Sequence, residues 1–295
     1  MPEGDSLWQQ ASLLHGFLAG KALLSSDFRI PRHATLDLAG WHTEEVVSRG
    51  KHLLHRLVPP AGTPRPPLTI HSHLKMEGHW EIYGPGARWK RPGHTARCVL
   101  TVQDGTAVGF SLGVLEVLPT QEEPRVVGHL GPDLLGPGWD PAQAEANLVS
   151  DPSRPIGLAL LDQRVMAGIG NIYRNELCFL AGLHPAAPVR ALSLPPARLD
   201  AAGVVAEAFR LLDLNRDHPG RRTTPSEPLG RPSSGGLWPR FFVYGRTRQP
   251  CLRCRTPIRQ ETLSEPGSAG RAAQDRAVYF CPRCQQFPGD SPKRK

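Results

Sequence analysis

The sequence predicts a multi-domain α+β protein, and three observations support this fold class. Short β-type runs separated by turn-rich segments occupy residues 1–135, after one opening helix. Helical periodicity replaces them over residues 136–217. Two Cys-x-x-Cys pairs lie near the carboxyl end, within residues 240–295. A chain of 295 residues is long enough for two or three such compact units.

The first region begins with a helix and continues as strands. Asp5 or Ser6 is suited to cap this helix. Its apolar stripe comprises Leu7, Leu13, Leu14 and Phe17. The predicted β-type runs are Glu45–Val58, Leu68–His73, Cys98–Val102 and Val108–Leu118. Short strands at this spacing are typical of a β-sandwich or a β-barrel.

The second region is helical and ends in a loop of unusual composition. The predicted helices are Pro141–Leu148, Ile156–Asp162, Asn171–Ala181 and Pro195–Leu214. The last of them carries an apolar stripe formed by Leu199, Ala202, Ala206, Phe209 and Leu212. Residues 218–239 are rich in Pro, Gly, Ser and Arg, so they predict a mobile basic loop rather than part of a core.

The composition favours a polyanionic partner and excludes a helical membrane protein. Lys and Arg number 35 against 27 Asp and Glu, which gives a net charge of +8. Such a balance favours nucleic acid or an acidic membrane surface as the partner, and a solvated surface with spare arginines is the alternative. The chain has no run of 18 apolar residues, and Glu3 and Asp5 stand where a secretory signal would be basic. Because six cysteines in a chain of this length do not form a disulfide scaffold, we expect a cytoplasmic protein.

Four of the six cysteines predict one structural zinc ion. The ligands are Cys251, Cys254, Cys281 and Cys284. Four thiolates at this spacing suit a closed tetrahedral site, which leaves no open position for chemistry on the metal. The 26 residues between the pairs exceed the usual spacing, so Leu263–Asp275 is interpreted as an insertion at a hairpin tip. A pair of redox dithiols is the alternative, although the βαβ context of a thioredoxin-like motif is missing. Cys98 and Cys178 lie in apolar runs and are predicted to be inert core thiols.

The first residues of the chain are those of a candidate amine nucleophile, although many proteins begin Met-Pro-Glu by chance. Removal of Met1 would leave Pro2 as a free secondary amine. An α-amine has a pKa of about 7.7–8, so part of it is unprotonated and nucleophilic at neutral pH. A secondary amine that attacks a carbonyl-like carbon gives a cationic iminium, which withdraws electrons strongly. Glu3 lies next to this amine and could supply a proton.

Residues 166–173 form a glycine-bearing turn between two predicted helices. Gly168 and Gly170 permit a tight turn and the close approach of another backbone. Asn171 is placed to cap the following helix, whose N–H groups and positive dipole end favour a phosphate. An ordinary helix–turn–helix connection with an asparagine cap accounts for the same residues, and the segment alone does not decide between the two.

Taken together, these segments resemble the formamidopyrimidine-DNA glycosylase and endonuclease VIII family of base-excision repair enzymes. The matching motifs follow one another in family order and cover most of the chain. They are Met1–Gly4, Ser48–Leu54, Gly128–Asp133, Gly168–Glu176 with 181–185, Val243–Arg246, the four cysteines and Arg276. The resemblance implies a catalytic β-sandwich domain over residues 1–135, with a flanking helix. It also implies a helix–two-turn–helix DNA-binding domain over residues 136–217 and a zinc-finger β-hairpin with a basic tail over residues 240–295.

The resemblance implies a bifunctional DNA glycosylase and AP lyase that acts on damaged DNA. Pro2 would attack the sugar C1′ of the damaged nucleotide and form the iminium, so that β- and δ-elimination cut the strand. Glu3 would act as the general acid. Lys51 would bring positive charge to the sugar and its phosphate, whereas a solvated strand lysine is the ordinary interpretation of such a residue. We expect a monomer that is associated, through DNA, with the nucleoid of a bacterial cytoplasm.

The resemblance also implies four residues that contact DNA. Asn171 and Arg276 would hold the kinked phosphates beside the flipped nucleotide, and Arg276 belongs to the implied catalytic group as well. Met76 would fill the space that the flipped base leaves, with Lys75 or Glu77 beside it. The alternative is that Met76 belongs to the core.

The sequence is closer to the endonuclease VIII branch of this family. The Asp-Pro-Arg-Arg-Phe stretch with which the formamidopyrimidine branch reads the opposite base is missing, and Val108–Val114 stands in its place. The second carboxylate of the family is present only as Asp5. Oxidised pyrimidines are therefore the expected substrates. The alternatives are an 8-oxoguanine or formamidopyrimidine-type glycosylase, with Pro219–Pro239 capping the base, and a zinc-finger nucleic-acid-binding protein without catalysis.

Overall fold

The computed structural model describes residues 2–218, 220–225, 239–264 and 276–287. The chain divides into two compact units, Met1–Leu130 (unit 1) and Gly131–Lys295 (unit 2). The predicted loop at 218–239 and the predicted insertion at 263–275 lie largely outside the described residues, so both stay predictions. The finer division of the chain at residues 135, 217 and 239 also stays a prediction.

Unit 1 is a β-sandwich with a helix at its amino end. Helix α1 spans Gly4–Leu18, and the short helix α2 spans Pro124–Val127. The strands are β1 (Ser25–Phe28), β2 (His42–Arg49), β3 (His52–Val58), β4 (Leu68–His73), β5 (His79–Tyr83), β6 (Ala96–Val102), β7 (Gly105–Phe110) and β8 (Val114–Pro119). They form two antiparallel sheets, in the orders β2-β3-β4-β8 and β1-β6-β7-β5. The predicted fold class is confirmed, and of its two alternatives the sandwich is correct.

The cap and the buried face of α1 differ from the prediction. Glu3 is the N-cap residue, and its backbone N–H donates to Ser6 Oγ at 2.9 Å. Asp5 and Ser6 therefore lie within the first turn rather than before it. The buried face runs through Leu7, Ala11, Leu14 and Leu18. Leu13, which was predicted on this stripe, is 55% exposed because it lies one residue off the helical period.

Two predicted β-type runs each contain a strand break. The run Glu45–Val58 is interrupted at Gly50 and Lys51, where a turn joins β2 to β3. Gly50 has φ +58°, a conformation that glycine adopts without strain. The run Val108–Leu118 contains the end of β7 and the start of β8, which belong to different sheets. Ser111, with φ +47°, lies at this crossing between sheets. Apolar alternation alone does not reveal either break.

Unit 2 consists of helices and a β-hairpin. The helices are α3 (Pro141–Val149), α4 (Ile156–Ala159), α5 (Asn171–Ala181) and α6 (Ala201–Arg216). The antiparallel strands of the hairpin are β9 (Arg259–Leu263) and β10 (Arg276–Phe280). The bounds of α5 agree with the prediction. Among the described residues of the whole chain, no helix is both long and apolar enough to cross a membrane.

Helix α6 differs from the prediction in its start and in its buried face. It begins at Ala201 rather than at Pro195, and Asp200 caps it by accepting a hydrogen bond from a backbone N–H three residues further on. The buried apolar face comprises Ala201, Val204, Val205, Ala208, Leu211 and Leu212. Of the predicted stripe, Leu212 is buried, whereas Ala202 and Ala206 are exposed. Because alanines occupy both faces, the apolar pattern does not fix the helical phase.

Candidate active site and metal centre

The amino end of unit 1 places the predicted nucleophile next to a buried carboxyl group. Pro2 is half-buried, and Glu3 is fully buried at the N-cap of α1. Asp5 is also buried, in the first turn of the same helix. The N–H groups and the positive dipole end of a helix amino terminus favour negative charge at this position. The nitrogen of Pro2 therefore lies directly before a residue, Glu3, whose carboxyl group is buried.

Lys51 lies in the turn between β2 and β3 rather than within a strand. It is half-buried and follows Gly50. Lys51 also interacts electrostatically with His73 on β4. The pKa of His73 is lowered to about 4, mainly by burial, and the charges of Lys75 and Lys51 lower it further. Lys51, Lys75 and His73 therefore share one electropositive region at this end of the sheet.

The predicted wedge loop follows β4. Met76 is 64% exposed, so the interpretation of Met76 as a core residue is wrong. Lys75 has φ +54°, and the stem of its side chain lies against Gly113, where an added Cβ would overlap it. Gly78 closes the turn by donating its N–H to the Leu74 carbonyl at 2.9 Å. The loop exposes Met76 and holds Lys75 against unit 1, and the contacts of both side chains with DNA stay predictions.

Asn171 lies at the first position of α5, and Gly170 rather than Asn171 is the N-cap. The Asn171 Oδ1 accepts a hydrogen bond from Arg174, and its Nδ2 donates to the Ala277 carbonyl at 3.4 Å. The predicted capping role is wrong, because these contacts engage the side chain instead. Arg276 is the first residue of β10, directly before Ala277. The fold brings the start of α5 next to the start of β10, while a phosphate contact by Asn171 or Arg276 stays a prediction.

Glu176 in α5 is a buried carboxylate that the sequence analysis did not identify. It accepts hydrogen bonds from the backbone N–H groups of Phe242, Val243 and Tyr244 at 2.7–2.9 Å and from the Thr223 hydroxyl. Burial raises the pKa of Glu176, and these hydrogen bonds oppose the rise. The carboxylate thereby anchors onto α5 the segment that leads to the cysteines. In the sequence, Glu176 could have been noticed only as an acidic residue inside a helix that is otherwise largely apolar.

The four predicted metal ligands converge in unit 2. The Sγ atoms of Cys251, Cys254, Cys281 and Cys284 all lie within 4.8 Å of one another. Cys251 and Cys284 are 3.9 Å apart at their sulfurs, and Cys254 and Cys281 are 3.4 Å apart. A tetrahedral ion with metal–sulfur bonds of about 2.3 Å requires sulfur–sulfur separations of about 3.8 Å. The cluster therefore fits one tetrahedral metal ion, an arrangement that two separate redox dithiols would not require.

The other two cysteines are buried core thiols, as predicted. Cys98 on β6 and Cys178 on α5 are both fully buried. Burial raises the pKa of both thiols, and that of Cys178 rises to about 12. Because the thiolate is the nucleophilic form, neither residue is reactive at neutral pH.

Comparison with known proteins places both units in one family. Residues 130–209 match the family model described as the formamidopyrimidine-DNA glycosylase H2TH domain. The chain is 49% identical over 293 residues to the "Probable endonuclease 8 2" of Streptomyces coelicolor, which covers 99% of this chain and 96% of the relative. It is 46% identical over 285 residues to the "DNA-(apurinic or apyrimidinic site) lyase Nei2" of Mycolicibacterium smegmatis, which covers 97% and 99% respectively.

The fold is also that of a solved relative. A structure of Lactococcus lactis formamidopyrimidine-DNA glycosylase bound non-covalently to DNA with an AP site superposes with a TM-score of 0.71 at 22% identity. The match covers 96% of this chain and 99% of that chain. The sequence relationship at 46–49% identity extends over nearly the whole chain and confirms the resemblance inferred from the motifs. The protein belongs to the formamidopyrimidine-DNA glycosylase and endonuclease VIII family.

Proposed function

We propose that this protein is a bifunctional DNA glycosylase and AP lyase that excises oxidised pyrimidines with Pro2 as its nucleophile. The enzyme class follows from the family and from relatives that carry the names endonuclease 8 and AP-site lyase. The observation that carries the residue assignment is the position of Pro2, directly before a fully buried glutamate at the amino end of α1.

In this proposal the amine of Pro2, freed by removal of Met1, attacks C1′ of the damaged nucleotide. The bond between C1′ and the base breaks, and the base leaves with a proton. Glu3 donates a proton to the sugar ring oxygen as the ring opens, and the nitrogen and C1′ become an iminium. The iminium accepts the electron pair that is released when a proton leaves C2′. The 3′ phosphate departs in this first elimination, and the 5′ phosphate departs in a second.

The electropositive region of unit 1 supports a role for Lys51 beside the sugar and its phosphate. Lys51 and Lys75 both act on His73, so their charges lie in one neighbourhood. A phosphate held there would neutralise part of this positive charge. We place the exposed Met76 in the space that the flipped base leaves, and Asn171 and Arg276 of unit 2 on the flanking phosphates.

The relatives support oxidised pyrimidines as the substrate class. Identity reaches 45–49% with proteins named endonuclease 8 2 or AP-site lyase, against 29–32% with relatives named formamidopyrimidine-DNA glycosylase. An 8-oxoguanine-type specificity is the second candidate, because the fold is shared with that branch.

We assign one zinc ion to the cysteine cluster and a monomeric state to the enzyme. The donor set of four thiolates suits zinc and gives it a closed, structural site. The ion would link the segment around Cys251 to that around Cys281 and so complete the module next to α5. The reaction itself is assigned to residues of the protein.

Borohydride trapping on a duplex with a single 5-hydroxyuracil tests this proposal. We expect a covalent protein–DNA adduct from the wild type and none from Glu3→Gln, whereas Pro2→Gly keeps an amine and retains part of the trapping. A parallel duplex with 8-oxoguanine separates the two substrate candidates, and a duplex with an abasic site tests the lyase step alone. Absence of an adduct on all three, from protein with an unblocked Pro2, would instead indicate a DNA-binding protein without catalysis.

A further inference from the structure

A line of hydrogen bonds crosses the sheet of unit 1 next to Lys51. His71 on β4 is buried, and its Nδ1 lies 2.7 Å from Oε1 of Glu116, which is its register partner on β8. The Nε2 of His71 lies 2.7 Å from Nδ1 of His52, the first residue of β3. The two imidazole rings are nearly parallel, with an interplanar angle of 20° and their centroids 5.0 Å apart. The side chains of Glu116, His71 and His52 therefore form a continuous hydrogen-bonded series that runs from β8 to the residue after Lys51.

The hydrogen-bond distances define one order of protons along Glu116, His71 and His52 when both imidazoles are neutral. An ionised carboxylate only accepts, so His71 carries its proton on Nδ1, facing Glu116. In the form with a neutral His71, its Nε2 is an acceptor, and the proton between the two rings belongs to His52 Nδ1. The Nε2 of His52 is then left with a lone pair. One additional proton can bind there, whereas a second would place two N–H groups against each other at 2.7 Å.

The surroundings keep His52 neutral at physiological pH. Burial lowers the pKa of His52 to about 3, and His71, His73, His129 and Lys75 lower it further. The ring of His73 lies edge-on to His52 with centroids 4.9 Å apart, and the His129 ring lies 6.2 Å away. Lys51 also faces this cluster, through His73, and so does His33, through Glu116. Glu123, which is paired with Arg56, interacts with His71. Two carboxylates therefore face His71: Glu116, which lies against its Nδ1, and Glu123.

We propose that Glu116 and His71 position His52 as a neutral proton acceptor that supports strand cleavage at the Lys51 end of the site. This inference rests on the proposed function, which assigns Lys51 to the sugar and phosphate. Elimination releases a proton from C2′. The hydrogen-bonded series of Glu116, His71 and His52 can take up one proton. An N–H bond forms at His52 Nε2, the Nδ1–H bond of His52 breaks, and that proton passes to His71 Nε2. The positive charge then rests on His71 beside Glu116, and His52 is neutral again.

Single-turnover cleavage of a duplex with a preformed abasic site tests this role. His52→Phe retains an aromatic ring beside His71 and removes both nitrogens. We expect cleavage about tenfold slower or more, with borohydride trapping and the Kd for abasic DNA within twofold of the wild type. Cleavage by His52→Phe at the wild-type rate would overturn the proposal. Loss of trapping in the wild type would instead overturn the proposed function, so the two failures are distinguishable.

The pH dependence of the cleavage rate of Glu116→Gln provides a second readout. A purely structural role of Glu116 would leave this pH dependence unchanged. The negative charge of Glu116 favours the protonated chain, so its removal makes proton uptake harder. We expect the acid limb of the cleavage rate to move to lower pH. Glu122→Gln, which alters an exposed glutamate paired with Arg125, is the matched control and should leave the limb in place. An unmoved limb in Glu116→Gln counts against the proposal.

The wild-type protein allows a test that does not depend on any variant folding. Long-range ¹H–¹⁵N spectra distinguish the two neutral tautomers of each histidine. At pH 7 we expect both His52 and His71 as Nδ1–H tautomers. An Nε2–H tautomer on either ring would break the proton order on which the chain depends and would overturn the inference.

Discussion

Unit 1 and the cysteine module of unit 2 have cores of very different size. Among the described residues, nineteen buried side chains form the cluster between the sheets of unit 1. The cluster around the cysteines has five buried members, two of which are the ligands Cys251 and Cys281. Since buried apolar area contributes roughly 25 cal/mol per Å², the sandwich has its own driving force for folding, whereas we expect the module to depend on the zinc ion proposed for its four cysteines. The comparison shows that the same chain folds its two functional regions by different means.

Removal of the metal is the largest perturbation that separates the two regions. Cys251→Ser, or a strong chelator, takes away a closed site whose apparent binding free energy is about 10–16 kcal/mol in small zinc modules at pH 7. We expect the amides of Val278–Phe280 to lose their protection from hydrogen exchange, while those of β3 and β4 keep theirs. Hydrogen exchange of the full chain, combined with the measured zinc content, checks this prediction.

The matched control replaces a cysteine outside the cluster. Cys98→Ala shortens a buried side chain of unit 1 and leaves the four ligands intact. It should lower the stability of the sandwich and leave one zinc ion per chain. If Cys251→Ser retained a full equivalent of zinc with unchanged protection at β10, the metal would not be what holds the module together.

Glu176 sharpens the comparison, because it shows that polar contacts supplement the small core of the module. In Glu176→Gln the side-chain amide would direct N–H groups at backbone donors that the carboxylate now satisfies. A buried donor left without its acceptor costs about 1–3 kcal/mol. We expect the urea midpoint of unit 2 to fall by a corresponding amount, with the zinc content unchanged. Glu207→Gln, at a surface pair with Arg210 on α6, is the control and should change the midpoint little.

The sequence predicted the parts of this architecture that are encoded locally. The cysteine pairs, the bounds of α5 and most strands could be inferred from short-range spacing and periodicity. Glu176 could not, because its backbone partners lie 66–68 residues away along the chain. The same holds for His71, whose partners His52 and Glu116 are 19 and 45 residues distant. The turn at Lys51 was missed for another reason, since a single glycine interrupts two strands with the same apolar pattern.

At neutral pH the smallest expected effect is that of His55, which gives unit 1 an acid sensitivity of its own. His55 is buried, its Nε2 lies 2.8 Å from Thr43 Oγ1, and burial lowers its pKa to about 3. An unfolded histidine has a pKa of about 6.5, so above this pH His55 is neutral in both states and adds no pH dependence. Between pH 6.5 and about 3 only the unfolded state binds the proton. The free energy of unfolding therefore falls as the pH falls, by at most about 1.4 kcal/mol per pH unit.

His55→Gln should remove this dependence, because glutamine can still bond to Thr43 but does not titrate. We expect the number of protons taken up on unfolding at pH 5 to drop by about one, measured from urea unfolding at several pH values. The indole NMR signals of Trp41 and Trp80, both buried in unit 1, report on the sandwich separately from any acid release of zinc in unit 2. His42→Gln changes an exposed histidine of the same sheet and is the control. An unchanged proton uptake in His55→Gln would mean that the acid sensitivity of unit 1 resides in the cluster around His52 and His73 instead.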